Sequence, residues 1–154
     1  PYDDLEHWRG PYPPDVFADQ FAKMAALWQP GIAALQEAAD KTPPDRRAEA
    51  MTDLRFARAA GIHFQSVANQ AHFVLARDAL ADPARTLPVE ERQRLLAEMR
   101  RCLESEIELA RALYVLARED SRIGFEPTCH YFYLPLDLVE KLVNCRWLLE
   151  HMPE

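Results

Sequence analysis

The chain has 154 residues, of which 49% are hydrophobic and 28% charged, so it is long enough to bury a core as one domain and differs from a disordered sequence. Its formal net charge of −7 argues against a general affinity for nucleic acid or anionic membranes, because both need a basic surface. No apolar run is long enough to span a membrane, so we expect a soluble protein that binds neither.

The cysteines bear on the compartment. They are odd in number, and the positions Cys102, Cys129 and Cys145 lack the paired spacing of a zinc ribbon. Reduced thiols are therefore expected, which favours a cytoplasmic protein over a secreted one without settling the compartment. The first residue is Pro1 rather than Met, which suggests a processed product, a designed chain or a fragment of a longer polypeptide.

The first segment, residues 1–14, contains four prolines among several aromatic residues. Each proline removes a backbone donor and restricts the residue before it. This segment is therefore predicted to be an extended lead-in whose aromatic rings pack on the rest of the domain. In the alternative interpretation, Trp8 and Tyr12 form a platform on which a sugar ring stacks.

The remainder of the chain is predicted to be mainly helical. Apolar residues recur at spacings of three and four over residues 14–40, 44–80 and 88–119, and again over the shorter segment 136–150. Short turns that contain proline separate the first three segments. The pattern predicts an all-α, up-and-down bundle of three long helices plus a short C-terminal helix.

Several residues refine this prediction. Pro30 should kink or split the first helix. Thr42 is predicted to cap the start of the second helix, with Asp45 three residues further on. Around Gly61 the second helix has mostly small side chains, so a neighbouring helix can approach closely there. Trp28 lies on an apolar helical face and is expected in the core rather than in a ligand site.

The second helix also carries a polar set, His63, Gln65, Ser66, Asn69, Gln70 and His72. His63 and His72 are nine residues apart and point to opposite sides of one helix, and no Glu-x-x-His pair occurs in the chain. We therefore expect no metal site and no cofactor. The polar set is interpreted as buried or half-buried groups that hydrogen-bond between helices.

The two later helices differ in their patterns. Charged residues of the third helix fall largely between its apolar positions, which is typical of a solvated face. The last helix is apolar on more than one side. It is predicted to be buried on two faces, against both long helices or against another chain.

The segment 119–135 differs from the helices on either side, because it combines prolines, a glycine, aromatic rings, a histidine and charges. In one interpretation, Asp120, Arg122 and Glu126 form an ion-pair knot that fixes the connection. In the other, charged and aromatic side chains form an edge for a ligand such as a sugar, whose hydroxyls bind charged groups and whose apolar face stacks on rings. The candidate ligand-binding residues are Arg122, Glu126, His130, Tyr131 and Tyr133.

No catalytic residue is assigned. A glycosidase needs two acids at a fixed separation, and this segment offers no obvious acid for that role beyond Asp120 and Glu126. Cys129 and His130 are adjacent in sequence, but adjacent side chains of an extended segment point apart and do not form a dyad.

Four stretches carry a resemblance to a known family. They are Asp-Ser-Arg-Ile-Gly-Phe-Glu at 120–126, His-Tyr-Phe-Tyr at 130–133, Leu-Val-Glu-Lys-Leu-Val-Asn-Cys at 138–145 and Tyr-Pro-Pro at 12–14. Together they resemble the C-terminal helical region of large bacterial proteins that look like glycoside hydrolases, with a hexosaminidase-like (β/α)-barrel ahead of the helices. The resemblance implies that this chain is the helical C-terminal part of such a protein and that the catalytic acids lie on the barrel.

We therefore expect residues 1–154 to form one helical domain, the non-catalytic accessory part of a carbohydrate-active protein. Its expected partners are the barrel and, in the ligand-edge interpretation, a carbohydrate. Two alternatives stay open. A free-standing interaction or oligomerisation module would show a large exposed apolar patch on the last helix. A small ligand binder would show a closed polar pocket lined by His63, Asn69 or His72.

Overall fold

The computed structural model describes residues 4–126, 130–131 and 133–153. Its elements are α1 (Leu5–Trp8), α2 (Pro14–Lys41), α3 (Arg47–Ala81), α4 (Val89–Glu119), β1 (Phe125–Glu126), β2 (His130–Tyr131) and α5 (Pro135–His151). The two short strands pair antiparallel. The prediction of an all-α domain with three long helices and a shorter C-terminal helix is confirmed.

The long helices pack in chain order. In the part of the chain that the structure describes, extensive packing among them joins α2 to α3, α3 to α4 and α4 to α5. The guanidinium of Arg47 reaches the carbonyl of Asp40 at 2.7 Å, and Trp28 Nε1 donates to the carbonyl of Ala57 at 2.7 Å, so α2 and α3 run antiparallel. Helices α2 and α5 therefore form the two outer edges of the array.

The lead-in is not extended throughout. Asp4 accepts a hydrogen bond from the backbone N–H of His7 at 3.3 Å, and this cap starts the single helical turn α1, which the proline content did not predict. Trp8 packs on the bundle as expected, with its ring edge-on to Phe17 at a centroid distance of 5.2 Å. Tyr12, its proposed companion in a sugar platform, is exposed.

Helix α2 differs from the prediction both at Pro30 and at its end. The helix continues unbroken through Pro30, so it is not split there. The prediction that Thr42 caps α3 is wrong, because its Oγ1 donates to the carbonyl of Ala38 at 2.9 Å and so closes α2. Arg46 precedes the first residue of α3, which begins later than predicted.

The close helix approach predicted near Gly61 is confirmed. A Cβ atom at this position would lie 2.9 Å from both Trp28 Cδ1 and Ile32 Cδ1 of α2. The indole ring of Trp28 also stands edge-on to Phe64, at a centroid distance of 5.2 Å. Trp28 is 38% exposed, so it packs at the edge of the α2–α3 interface rather than in the centre of the core.

Two apolar clusters hold α5 against α4. Leu113 and Leu138 belong to the cluster near the start of α5, and Leu103 and Cys145 to the cluster further along. Lys141 lies between these two clusters in sequence. Its side chain is thereby directed to the place where α3, α4 and α5 meet.

Candidate functional site

Four polar side chains meet where α3, α4 and α5 come together, and we call them the polar cluster. Ser66 and Asn69 lie on α3, Glu106 on α4 and Lys141 on α5. The first three are buried, with Glu106 only 5% exposed. The side chain of Lys141 is 28% exposed and reaches them from the rim.

Glu106 is the centre of the polar cluster. Its Oε2 accepts a hydrogen bond from Ser66 Oγ at 2.8 Å, and its Oε1 accepts one from Asn69 Nδ2 at 2.7 Å. The carboxylate forms an ion pair with Lys141, whose Nζ also donates to Ser66 Oγ at 2.9 Å. Charge pairing and hydrogen bonds together offset the desolvation of a buried carboxylate.

The polar set of α3 is therefore largely structural. The interpretation as interhelical hydrogen-bonding groups is confirmed for Ser66 and Asn69. Gln65 and Gln70 support them from the same helix, donating to Asn69 Oδ1 and Ser66 Oγ at 3.1 Å each. Among the described residues no buried side-chain nitrogen or oxygen lacks a hydrogen-bond partner.

A cavity of about 270 Å³ adjoins the polar cluster. Asn69, Glu106 and Lys141 form part of its wall, and apolar side chains such as Phe73 and Leu103 form much of the rest. The ligand-binder alternative expects a closed polar pocket, and this cavity shares Asn69 with it, but the cavity wall is mainly apolar and neither His63 nor His72 lines it.

Two buried free thiols, Cys102 and Cys145, also line the cavity. Burial raises the pKa of Cys102 to about 11. Burial also raises the pKa of Cys145, an effect that Glu106 increases and Lys141 opposes. Both thiols are therefore protonated at neutral pH and are poor nucleophiles.

His63 links α3 to the segment after β2. Its Nδ1 lies 2.7 Å from the hydroxyl oxygen of Tyr133, within hydrogen-bonding distance. Burial lowers the pKa of His63, although part of the ring remains exposed, and the charge of Lys141 lowers this pKa further. The imidazole is therefore neutral at neutral pH. This contact fixes Tyr133, one of the predicted ligand residues, against α3.

Arg122 forms a bidentate pair with Asp120. Its Nε and Nη2 donate to the two carboxylate oxygens at 2.9 and 2.6 Å. The Asp120 side chain is 9% exposed, whereas that of Arg122 is 66% exposed, and Arg55 of α3 lies 3.8 Å from the same carboxylate. The Arg122 guanidinium also lies 5.0 Å from the ring centroid of Phe56. Asp120 and Arg122 therefore pair as the knot interpretation expects and contact α3, whereas the side chain of Glu126, the third predicted member, lies outside the described part of the structure.

The other candidate residues lie on or near the two strands. Backbone pairing places Glu126 opposite His130, and Tyr131 pairs with Phe125. Residues 127–129 and 132, and with them Cys129, lie outside the described residues. That Arg122, Glu126, His130, Tyr131 and Tyr133 contact a ligand stays a prediction.

A glycine determines how this loop meets Tyr133. Gly124 has φ +84°, and a Cβ at this position would lie 2.7 Å from Tyr133 Cβ. A left-handed conformation and close contact both favour glycine here.

Helix α5 exposes an apolar stripe, which we call the α5 face: Leu136 (76% exposed), Val139 (45%), Val143 (56%) and Trp147 (57%). Spacings of three and four place these residues on one side of the helix. The opposite side packs on α4. The predicted burial of α5 on two faces within the chain is therefore wrong, and one apolar face is left uncovered.

The sequence interpretation missed Glu106 and Lys141. A signal for Glu106 exists, because it lies three residues after Leu103 and four before Ala110, and both of these are buried. A charged residue at such a position of an apolar helical face needs a buried partner. For Lys141, only the fold shows that its side chain reaches α3.

Two absences apply to residues 4–126, 130–131 and 133–153. No three His, Cys, Asp or Glu side chains there are grouped so that they could hold a metal ion. No helix in these ranges combines the length and the apolar character that crossing a membrane requires.

The fold and the site thus define an all-α helical array with a buried polar cluster and an uncovered apolar helix face. No protein-family model, curated protein or solved structure matches the chain. The functional interpretation therefore depends on the geometry and the sequence of the chain itself.

Proposed function

We propose that this chain is a non-catalytic helical interaction domain that binds a neighbouring protein domain through the α5 face. The observation that carries the proposal is that face, in which each of the four large apolar residues is at least 45% exposed. Contiguous exposed apolar surface of this kind marks interaction sites in soluble proteins.

The shape of the α5 face fits a protein surface better than a small molecule. Leu136 and Trp147 are eleven residues apart, so the stripe extends over about 16 Å along the helix. Exposed charges, among them Glu140 and Arg146, lie beside it. An apolar centre with a polar rim is the usual composition of a protein interface.

We further propose that the partner is a hexosaminidase-like barrel and that the chain is an accessory domain of a carbohydrate-active protein. The support is the sequence resemblance in residues 120–126, 130–133 and 138–145. The last of these stretches contains Val139 and Val143, so the sequence that carries the resemblance also forms the centre of the α5 face. The ion pair between Asp120 and Arg122 would then hold the loop that precedes α5 in place beside the interface.

Self-association is a second candidate function. A groove of about 470 Å³ lies between α2, α3 and α4, on a different part of the array from the polar cluster, and Ile32, Ile62 and Leu116 contribute to its lining. The α5 face of a second copy would fit such an apolar groove, since helix-in-groove contacts use residues at the spacing found on α5.

Binding measurements with matched variants test the first proposal. The coding sequence that precedes Pro1 is first inspected for a barrel domain. If it encodes one, that domain is purified and titrated with this chain by calorimetry. Val143→Glu should weaken binding at least tenfold, because it places a charge in an apolar interface. Val89→Glu is the control, since Val89 is 67% exposed on α4 and away from α5. An upstream region without a barrel, or equal binding by both variants, contradicts the barrel proposal.

Sedimentation of the chain alone tests self-association. A concentration-dependent dimer that Val143→Glu abolishes and Val89→Glu preserves would favour the second candidate. A monomer at all concentrations would exclude it.

The non-catalytic assignment has its own test. The purified chain should not hydrolyse aryl glycosides, because the sequence of the segment 119–135 offers no obvious acid for proton transfer beyond Asp120 and Glu126. Turnover that disappears in the Glu126→Gln variant would overturn this assignment.

A further inference from the structure

The cavity is polar where it meets the polar cluster and apolar along its wall. Asn69 and Arg77, which both line it, are eight residues apart on α3, so it extends over about 12 Å along that helix. The polar cluster closes one end. Along the wall lie the apolar side chains of Phe73, Val74 and Leu103.

The apolar wall includes buried core groups. Val74 and Leu103 are at most 5% exposed, and the thiols of Cys102 and Cys145 are neutral, as shown above. Such a wall favours contact with the apolar part of a ligand. It disfavours contact with a polar group, because that group would lose its hydration without gaining a hydrogen bond. Small-molecule pockets commonly combine a wall of this kind with a few polar groups that fix orientation.

Lys141 supplies a donor at the polar end. An ammonium group has three N–H donors, and the contacts of Lys141 are with Ser66 and Glu106. One donor is therefore left for a ligand, on a side chain that is still 28% exposed. Glu106, in contrast, already accepts from three groups.

The donors and acceptors at the polar end decide which ligand head fits. Lys141 keeps one N–H donor, whereas both carboxylate oxygens of Glu106 are already occupied by hydrogen bonds and the ion pair. Arg77, the other cationic lining residue, is paired with Asp78 at 2.8 Å, so Lys141 is the better partner for an anion. An amine head would face the ammonium of Lys141 and be repelled.

We propose that this cavity binds a small carboxylic acid with an unbranched apolar body. The carboxylate accepts a hydrogen bond from Lys141, and the hydrocarbon chain lies along Phe73, Leu103 and Cys145. This site is separate from the α5 face, and it goes beyond the proposed interaction function without depending on it.

Calorimetric titration with four probes tests the ligand class. Octanoate should bind at least tenfold more tightly than octan-1-ol, because it adds a charge-assisted hydrogen bond, and octylamine should show no binding. Hexanoate should bind about fifteenfold more weakly than octanoate, since each buried methylene contributes about fourfold. Octylamine binding as tight as octanoate binding would overturn the proposal.

Two variants that introduce the same side chain test the location. Cys145→Phe fills the cavity and should abolish octanoate binding, whereas Val143→Phe places the same ring on the exposed side of α5 and should leave octanoate binding unchanged. Equal octanoate affinity in both variants would overturn the proposal.

A thiol-protection measurement covers the case in which Cys145→Phe does not fold. Alkylation proceeds through the thiolate, so it is followed at alkaline pH, and mass spectrometry of the peptide that contains Cys145 separates it from Cys102. In the Cys129→Ser variant, octanoate should slow alkylation of Cys145 severalfold relative to the same concentration of octylamine. Alkylation at equal rates with both probes would count against binding in this cavity.

Discussion

Glu106 and Lys141 form an ion pair across the α4–α5 interface, and the Glu106 carboxylate lies inside the domain rather than on its surface. Lys141→Met keeps the apolar stem but leaves that carboxylate without its counter-charge. We expect a loss of about 3 kcal/mol in the free energy of unfolding, measured by urea titration. Glu104→Gln, at an exposed position of α4, is the control and should change this free energy by less than about 0.5 kcal/mol.

The double variant Glu106→Gln with Lys141→Met separates charge from packing. It should recover much of the free energy of unfolding that Lys141→Met loses, because no buried charge then remains unpaired. A double variant as unstable as Lys141→Met alone would show that the loss comes from packing.

Two glycines of the α2–α3 pair should respond oppositely to alanine. Gly61→Ala places a methyl group 2.9 Å from the indole of Trp28, so overpacking should outweigh the gain in helix propensity and destabilise the domain by about 1 kcal/mol. Gly31→Ala, with nothing within 4 Å of its new Cβ, should stabilise it by up to about 1 kcal/mol. Thermal and urea unfolding of both variants check the difference in sign. A stabilised Gly61→Ala would mean that α2 shifts readily on α3.

Asp120 should contribute stability that depends on acid pH. The hydrogen bonds from Arg122 are the main reason why the pKa of this carboxyl falls from 3.8 to about 2. A lowered folded-state pKa stabilises the fold above the unfolded-state pKa, and this contribution is lost as pH falls from about 4 to about 2. Arg122→Ala should therefore lower the urea midpoint at pH 5, and the difference from the parent protein should shrink towards pH 2.

Arg118→Ala is the control for Arg122→Ala, because Arg118 is exposed on α4 and does not contact Asp120. If the difference in urea midpoint between the parent protein and Arg122→Ala stays constant from pH 5 to pH 2, the pair with Asp120 is not the source of that difference.

His63 should titrate below its ordinary pKa of 6.5, because burial and the charge of Lys141 both disfavour the imidazolium. A lowered histidine pKa means that the unfolded chain binds the proton more tightly, so this group reduces stability as pH falls below about 6.5. NMR titration of the His63 ring measures the pKa directly. In the Lys141→Met variant the pKa of His63 should rise. A His63 pKa at or above 6.5 in the parent protein would contradict the prediction.

The sequence was sufficient to predict the helices, because apolar periodicity over thirty residues is a strong signal. It was less informative at the ends of helices. Thr42 can cap the start of one helix or close the end of another, and only the hydrogen bond to Ala38 decides between them. The helical turn α1 was not predicted for a similar reason, because the N-cap at Asp4 starts a helical turn in spite of the prolines nearby.

The candidate site was less predictable than the fold. Ser66 and Asn69 were found because polar residues clustered on one helix, but their partner Glu106 belongs to a helix whose charges were interpreted together as a solvated face. Lys141 is separated from Ser66 by 75 positions in sequence, and no local pattern joins them. Contacts between distant segments depend on packing, which a single sequence does not display.

The order in which the long helices pack also affects folding. Because α2, α3, α4 and α5 each rest mainly on the next helix in sequence, most contacts close short loops, and folding should be fast for a domain of this length. An edge helix can also detach while the others remain together. Hydrogen exchange should therefore begin in α2 and α5, and the central helices α3 and α4 should retain their amide protons longest.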